Sequence, residues 1–310
     1  MLPWSRLLNA DTRQLSFGGD WTEEKLWHVR AYLQAYVTAL KNQPYFQTAY
    51  IDGFAGTGTV RLPAPDPPEN LLLPDLDSPE TVSETRDYMV GSAKMALEVK
   101  PSFDRYVLIE KDGGHARELS EMTERFPSLV DRIEVITDDA NVAVRRLCDS
   151  WDWKKHRAVL FLDPFGMQVD WSTIEVVART RAIDMWYLFP VGAVIRLLRR
   201  DGRIDQTWGA RLTATFGCDD WGGVFYQTTE EAGLFGDLLC TTRTASLERV
   251  GAYFLDRLST VFGGVAPMAR VLCNSKNVPL YLLCFAVATQ NVKGQTLALR
   301  IANHILQMKD

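Results

Sequence analysis

The regular pattern of the chain begins at residues 22–41. There Leu26, Val29, Leu33, Tyr36, Val37 and Leu40 recur every three or four positions, the spacing of one buried helix face. Thr22 is suited to cap this helix, with Glu23 and Glu24 in its first turn. Short apolar runs follow: Tyr50-Ile51, Tyr106–Ile109, Ile133–Ile136, Ala158–Leu162 and Met185–Phe189. Helices are expected between them, opening at Gly91-Ser92 and covering 114–126, 142–151 and 172–179. Apolar strands alternating with helices predict an α/β fold, a mostly parallel sheet covered on both faces. Ligands of such sheets sit beyond the carboxyl ends of the strands. Asp52, Glu110, Asp138-Asp139 and Asp163 all fall at those ends.

Beyond Pro190 the alternation stops. Residues 191–262 look mostly helical, with Trp208, Trp221, Phe225 and Tyr226 among them. Two strands, Ala269–Cys273 and Leu280–Thr289, then lead to an amphipathic helix over 296–308. The expected organisation is therefore a core in 1–190, a helical insertion in 191–262 serving a substrate or partner, and a closing antiparallel hairpin and helix in 263–310. Residues 61–90 are unlike the rest, holding six of the fourteen prolines and seven acidic side chains. A loop of that length is a lid, a partner-facing segment or a passive insertion.

Composition narrows the class. At 310 residues and 46% hydrophobic, the chain can bury a sizeable core. A net charge of −5 gives no global attraction to nucleic acid, so any such contact needs a local patch. The five cysteines (148, 218, 240, 273, 284) are scattered and show no C-x-x-C, which argues against a disulfide framework or a structural zinc site. No apolar run reaches the roughly 20 residues of a membrane span, and the start lacks a secretory pattern. A cytoplasmic protein is expected.

The segment Asp52-Gly53-Phe54-Ala55-Gly56-Thr57-Gly58 carries the most chemistry. Its glycines allow positive φ and close backbone approach to a ligand. A phosphate-cradling loop would need lysine where Thr59 stands, and a dinucleotide loop would need glycine where Arg61 stands. An ordinary glycine-rich turn would account for the glycines alone. The form that remains resembles motif I of Rossmann-like S-adenosylmethionine (SAM) methyltransferases. That resemblance implies that Asp52 and the loop, with Ser92, hold the methionine part of SAM. Glu110, followed by Lys111, would meet the ribose hydroxyls, and Asp138 or Asp139 the adenine amino group, with Ala140 and Asn141 lining the pocket. Solvated charge at strand ends is the ordinary alternative for each. Asp163-Pro164-Phe165-Gly166 resembles motif IV of amino-group methyltransferases, [DNS]-P-P-[YF]. There the first residue holds the target amine, and an aromatic stacks on the substrate. Here Phe165 replaces the second proline and Gly166 the aromatic; Asp163 capping a strand-to-loop turn is the plainer alternative.

Taken together, Tyr50–Gly58, Gly91-Ser92, Glu110, Leu162–Met167 and the closing hairpin resemble the three-Cys-motif partner (TcmP) family, with its "YIDGFAGxG" loop, "GS" helix start and "FLDPFG" turn. The resemblance implies a Rossmann-like methyltransferase fold, SAM as cofactor, and a separate radical-SAM-like protein carrying three cysteines as partner. The expected activity is methyl transfer to an amino nitrogen, with a nucleic-acid base as one candidate carrier. The alternative is a non-catalytic or partner-dependent SAM-binding accessory module. Arg196, Arg199, Arg200 and Arg203, with Arg211, form a local excess that could grip phosphates or simply solvate a helix face. Lys25 and Trp27 read as a surface lysine and a core tryptophan, with shielding of the cofactor as the alternative. No histidine spacing suits a metal, and no G-x-S-x-G elbow supports hydrolysis.

Overall fold

The computed structural model describes residues 20–58, 91–233, 236–274 and 276–308. The proline-rich segment 61–90 lies outside them. The first helix, α1 (Asp20–Leu40), already includes Thr22, which therefore sits within the helix rather than at its cap. Strands β1 (Gln47–Asp52), β2 (Arg105–Glu110), β3 (Ile133–Thr137), β4 (His156–Leu162) and β5 (Ile183–Phe189) follow, parallel and ordered β3-β2-β1-β4-β5. Between them run α2 (Ser92–Leu97), α3 (Gly113–Thr123), α4 (Ala140–Ser150) and α5 (Trp171–Arg179).

After β5 come four further helices: α6 (Val191–Leu197), α7 (Gln206–Phe216), α8 (Trp221–Phe225) and α9 (Leu247–Ser259). Between α8 and α9 the chain also forms an antiparallel pair, β6 (Tyr226–Gly233) and β7 (Gly236–Arg243), which periodicity did not anticipate. The sheet is completed by β8 (Gly264–Val265), β9 (Arg270–Cys273) and β10 (Pro279–Val287), and the last helix is α10 (Val292–Gln307). Strand β10 lies antiparallel to β5, from Leu282 opposite Phe189 to Val287 opposite Asp184. Its outer edge is shared by β9 and β8. The result is the expected Rossmann-like arrangement, a mostly parallel sheet closed by an antiparallel hairpin.

Side chains on a strand alternate between faces, and this alternation divides the core in two. Tyr50, Tyr106, Leu108, Phe161, Trp186 and Phe285 face α1, α2, α3 and α10. Ile51, Val107, Leu160, Met185, Tyr187 and Phe189 face α4, α5, α6, α7 and α9. Among the described residues no helix is long and apolar enough to cross a membrane.

Candidate active site

Strand β1 is central, so its carboxyl end is flanked by those of β2 and β4. Asp52 is opposite Leu108 of β2 and Phe161 of β4. The loop that follows is fastened to both neighbours: the Gly53 amide donates to Phe161 O at 2.9 Å and the Ala55 amide to Ile109 O at 2.9 Å. Space there admits no side chain at Gly53, where a Cβ would meet Leu162 Cδ2 at 2.7 Å. Gly56 and Gly58 have φ of 60° and 65°, the left-handed region that favours glycine.

Asp52 is fully buried. It accepts from the Tyr50 hydroxyl at 3.0 Å and from the Phe54 amide at 3.1 Å. Burial pushes its carboxyl up to about 6, while these hydrogen bonds pull the other way. Glu110, also buried, accepts the Gly56 amide on Oε2 at 3.0 Å and the Asp112 amide on Oε1 at 2.8 Å. Each oxygen keeps a second lone pair, so the carboxylate can still receive a ligand hydroxyl. Thr57 lies in the same loop, and Ser92 opens α2 as a buried residue.

The third strand end is arranged less simply. Asp138 bonds Arg146 at 2.9 Å and accepts the Asp139 amide at 2.8 Å. Asp139 caps α4 through the Asn141 amide at 3.0 Å and pairs with exposed Lys111 at 3.2 Å. Ala140 is buried and lies beside Gly53, at 4.0 Å from where a Cβ would stand. Asn141 is more a strut than a pocket wall. Its amide group donates to Gln168 O and accepts from the Asp170 amide and the Thr173 hydroxyl, each at 2.9 Å.

Asp163 directly follows β4 and is 1% exposed. The surface lysine expected at position 25 is instead fully buried, with its Nζ 2.6 Å from Asp163 Oδ2. Burial lowers the Lys25 ammonium to about 7 against the pull of Asp163 and then of Asp52. Asp163 also acts through space on Asp52 and on Tyr281 of β10. The turn at Asp163, the start of the glycine loop at Asp52 and α1 therefore share one buried electrostatic cluster. Sequence reading took Lys25 for a surface residue because apolar periodicity counts only apolar residues. The signal was its spacing: Lys25, Val29 and Tyr32 fall at i, i+4 and i+7, one helix face, and all three are buried. Trp27, expected in the core, is only half-buried.

Behind Asp163, Pro164 is buried and Phe165 half-buried, its amide donating to Gln168 Oε1 at 2.9 Å. Gly166 has φ of 61°, with nothing within 4 Å of where a Cβ would stand. The arginines differ in their surroundings. Arg196 is half-buried on α6, Arg199 pairs with Asp201 at 3.4 Å, and Arg200 and Arg203 are exposed in the turn beyond. Arg211 on α7 is held by Asp170 at 2.8 Å.

No family model matches the chain, and no curated protein does. Among solved structures it is similar to a Legionella pneumophila protein of the DUF519 family, at 13% identity over 93% of each chain with a TM-score of 0.44. An rRNA methylase from Streptococcus thermophilus aligns at 9% identity, over 70% of this chain and 95% of that one, with a TM-score of 0.30. A methyltransferase from Geobacter sulfurreducens aligns at 14% identity, over 69% and 78%, with a TM-score of 0.28. These likenesses are remote, so activity has to be read from the site.

Proposed function

We propose that this protein is a SAM-dependent methyltransferase acting on an amino nitrogen. The observation that carries the proposal is the ion pair at the end of β4: Asp163 holds an amine at 2.6 Å, beside the strand end that leads into the glycine loop. The donor set suits SAM. Asp52 offers a carboxylate to a ligand ammonium, Glu110 offers lone pairs to ribose hydroxyls, and the close-packed glycine turn leaves its backbone open to a ligand. Asp138, Asp139 and Ala140 border the place for the adenine. Bound SAM would supply a methyl carbon made electrophilic by its sulfonium.

The chain's own part is positioning. Asp163 accepts a hydrogen bond from the amine and so aims its lone pair, which removes much of the orientational cost of reaction. Phe165 offers a half-buried ring for substrate packing. A nucleic-acid base is the proposed carrier of the amine, with Arg200 and Arg203 as phosphate contacts, and a radical-SAM-like three-Cys-motif protein is the proposed partner.

Calorimetric titration with SAM and S-adenosylhomocysteine tests the cofactor assignment. Micromolar binding is expected, lost in an Asp52→Ala, Glu110→Ala variant that stays folded; a folded wild type that takes up neither compound would refute it. Gly166 favours a second reading, an accessory module of the partner, because no aromatic ring occupies the stacking position of the acceptor turn. Substrate methylation by the isolated chain would exclude that alternative.

A further inference from the structure

The amine nearest Asp163 belongs to the chain itself. Lys25 Nζ sits 2.6 Å from Asp163 Oδ2, with side-chain exposures of 0% and 1%, and 5.8 Å from the centroid of the Phe161 ring. Asp52, which ends β1 at the glycine loop, acts electrostatically on both members of the pair. The nitrogen thus lies against the residue that opens the turn after β4 and within the field of the residue that opens the glycine loop. A buried ion pair is a weak stabiliser, because desolvation of both charges offsets most of their attraction. Its location is the informative part: it stands at the end of the sheet where ligands bind, not in the interior of either core.

We infer that Lys25 is a self-methylation site, its Nζ being an amine that this centre methylates within its own chain. This rests on the methyl-transfer reading above. The chemistry balances. Lys25 first gives up its ammonium proton, for which Asp163 is the adjacent acceptor. The freed lone pair forms the N–CH3 bond while the methyl C–S bond breaks, its electron pair staying on sulfur as S-adenosylhomocysteine. The product is a secondary ammonium, so the positive charge opposite Asp163 is kept. The low proton affinity that burial gives Lys25, about 7, makes the neutral amine accessible near neutral pH. The Phe161 ring suits a methylated cation.

The experiment incubates the full chain with SAM carrying a deuterated methyl group and maps label by mass spectrometry. Donor binding to the same sample is measured by calorimetry. One labelled methyl group is expected on Lys25, with none on exposed Lys94 or Lys111; an unlabelled methyl already on Lys25 in the purified protein counts equally. Lys25→Arg should bind SAM as the wild type does and take no label, and Asp163→Asn should bind SAM with label lost. Unmodified Lys25 in protein that binds SAM overturns the inference and leaves the proposed function standing. Equal labelling of the exposed lysines also overturns it. Failure to bind SAM removes the cofactor reading, and the inference with it.

Discussion

The Gly56 amide donates to Glu110 Oε2 at 3.0 Å, so the glycine loop after β1 is tied to the carboxylate that ends β2. With the Asp112 amide on the other oxygen, Glu110 shapes the loop from below while facing the proposed ribose site. Replacing it by glutamine keeps one acceptor oxygen and turns an N–H group toward the second amide. SAM affinity should fall about tenfold or more, equivalent to about 1.4 kcal/mol. Calorimetry on Glu110→Gln checks this, and unchanged affinity would reduce Glu110 to a structural tie.

Glycines in the two turns should differ in how much they tolerate. At Gly58 an added Cβ meets Met122 Cε at 2.5 Å and Leu119 Cδ1 at 2.9 Å, on top of the positive φ. At Gly166 only the backbone objects. Gly58→Ala should therefore cost about 3 kcal/mol and Gly166→Ala about 1 kcal/mol in denaturant titrations. Equal costs would contradict the packing under the glycine loop.

The pH dependence of stability should show a minimum near neutrality. Asp184, buried and accepting from the Tyr32 hydroxyl at 2.6 Å, is raised by burial to about 7. A carboxyl raised on folding binds its proton more tightly when folded. Stability from Asp184, and from Asp52 likewise, is therefore lost as pH climbs from about 4 to about 7. Lys25 works in the opposite direction. Its folded value of about 7 lies below the ordinary 10.5, so its term favours folding increasingly as pH rises from 7. Asp184→Asn should leave stability at pH 4 nearly unchanged and raise it above pH 7 by a few kcal/mol, on the order that a three-unit shift implies. Thermal melts across pH test this; a wild-type maximum at pH 7 would contradict it.

If the amine is carried by a nucleic acid, exposed Arg200 and Arg203 should contribute two phosphate contacts. Arg200→Ala with Arg203→Ala should then flatten the log–log salt dependence of single-stranded RNA binding by about 1.4, roughly 0.7 for each lost phosphate contact. An unaltered slope would relieve these residues of that role.

What was legible in the sequence was what one strand and its turn encode together. Asp52 with its glycines, Glu110, the Asp138-Asp139 pair and Asp163 all lie at strand ends as expected, because an apolar run stops where a polar residue reaches the sheet edge. What could not be read depends on partners far along the chain. Lys25 meets Asp163 across 138 positions, and its spacing with Val29 and Tyr32 marks a helix face but not the distant carboxylate that it pairs with. Asn141 was expected to line a pocket, but its amide braces residues 168–173. The hairpin between Tyr226 and Arg243 draws on threonines (Thr228, Thr229, Thr241, Thr242) that favour strands through pairing rather than apolar alternation.

Helix α1 has one further mechanical consequence. Tyr32 is bonded to Asp184 near the start of β5, while Lys25, about 10 Å along the same axis, reaches Asp163 beyond the end of β4. Glu24 adds a third fixing point through Arg270 of β9 at 2.5 Å. These three ties hold the helix against β4, β5 and β9. On the proposed reading an incoming amine would displace the four-carbon arm of Lys25, so its rotamers, among the described residues, would govern access to Asp163.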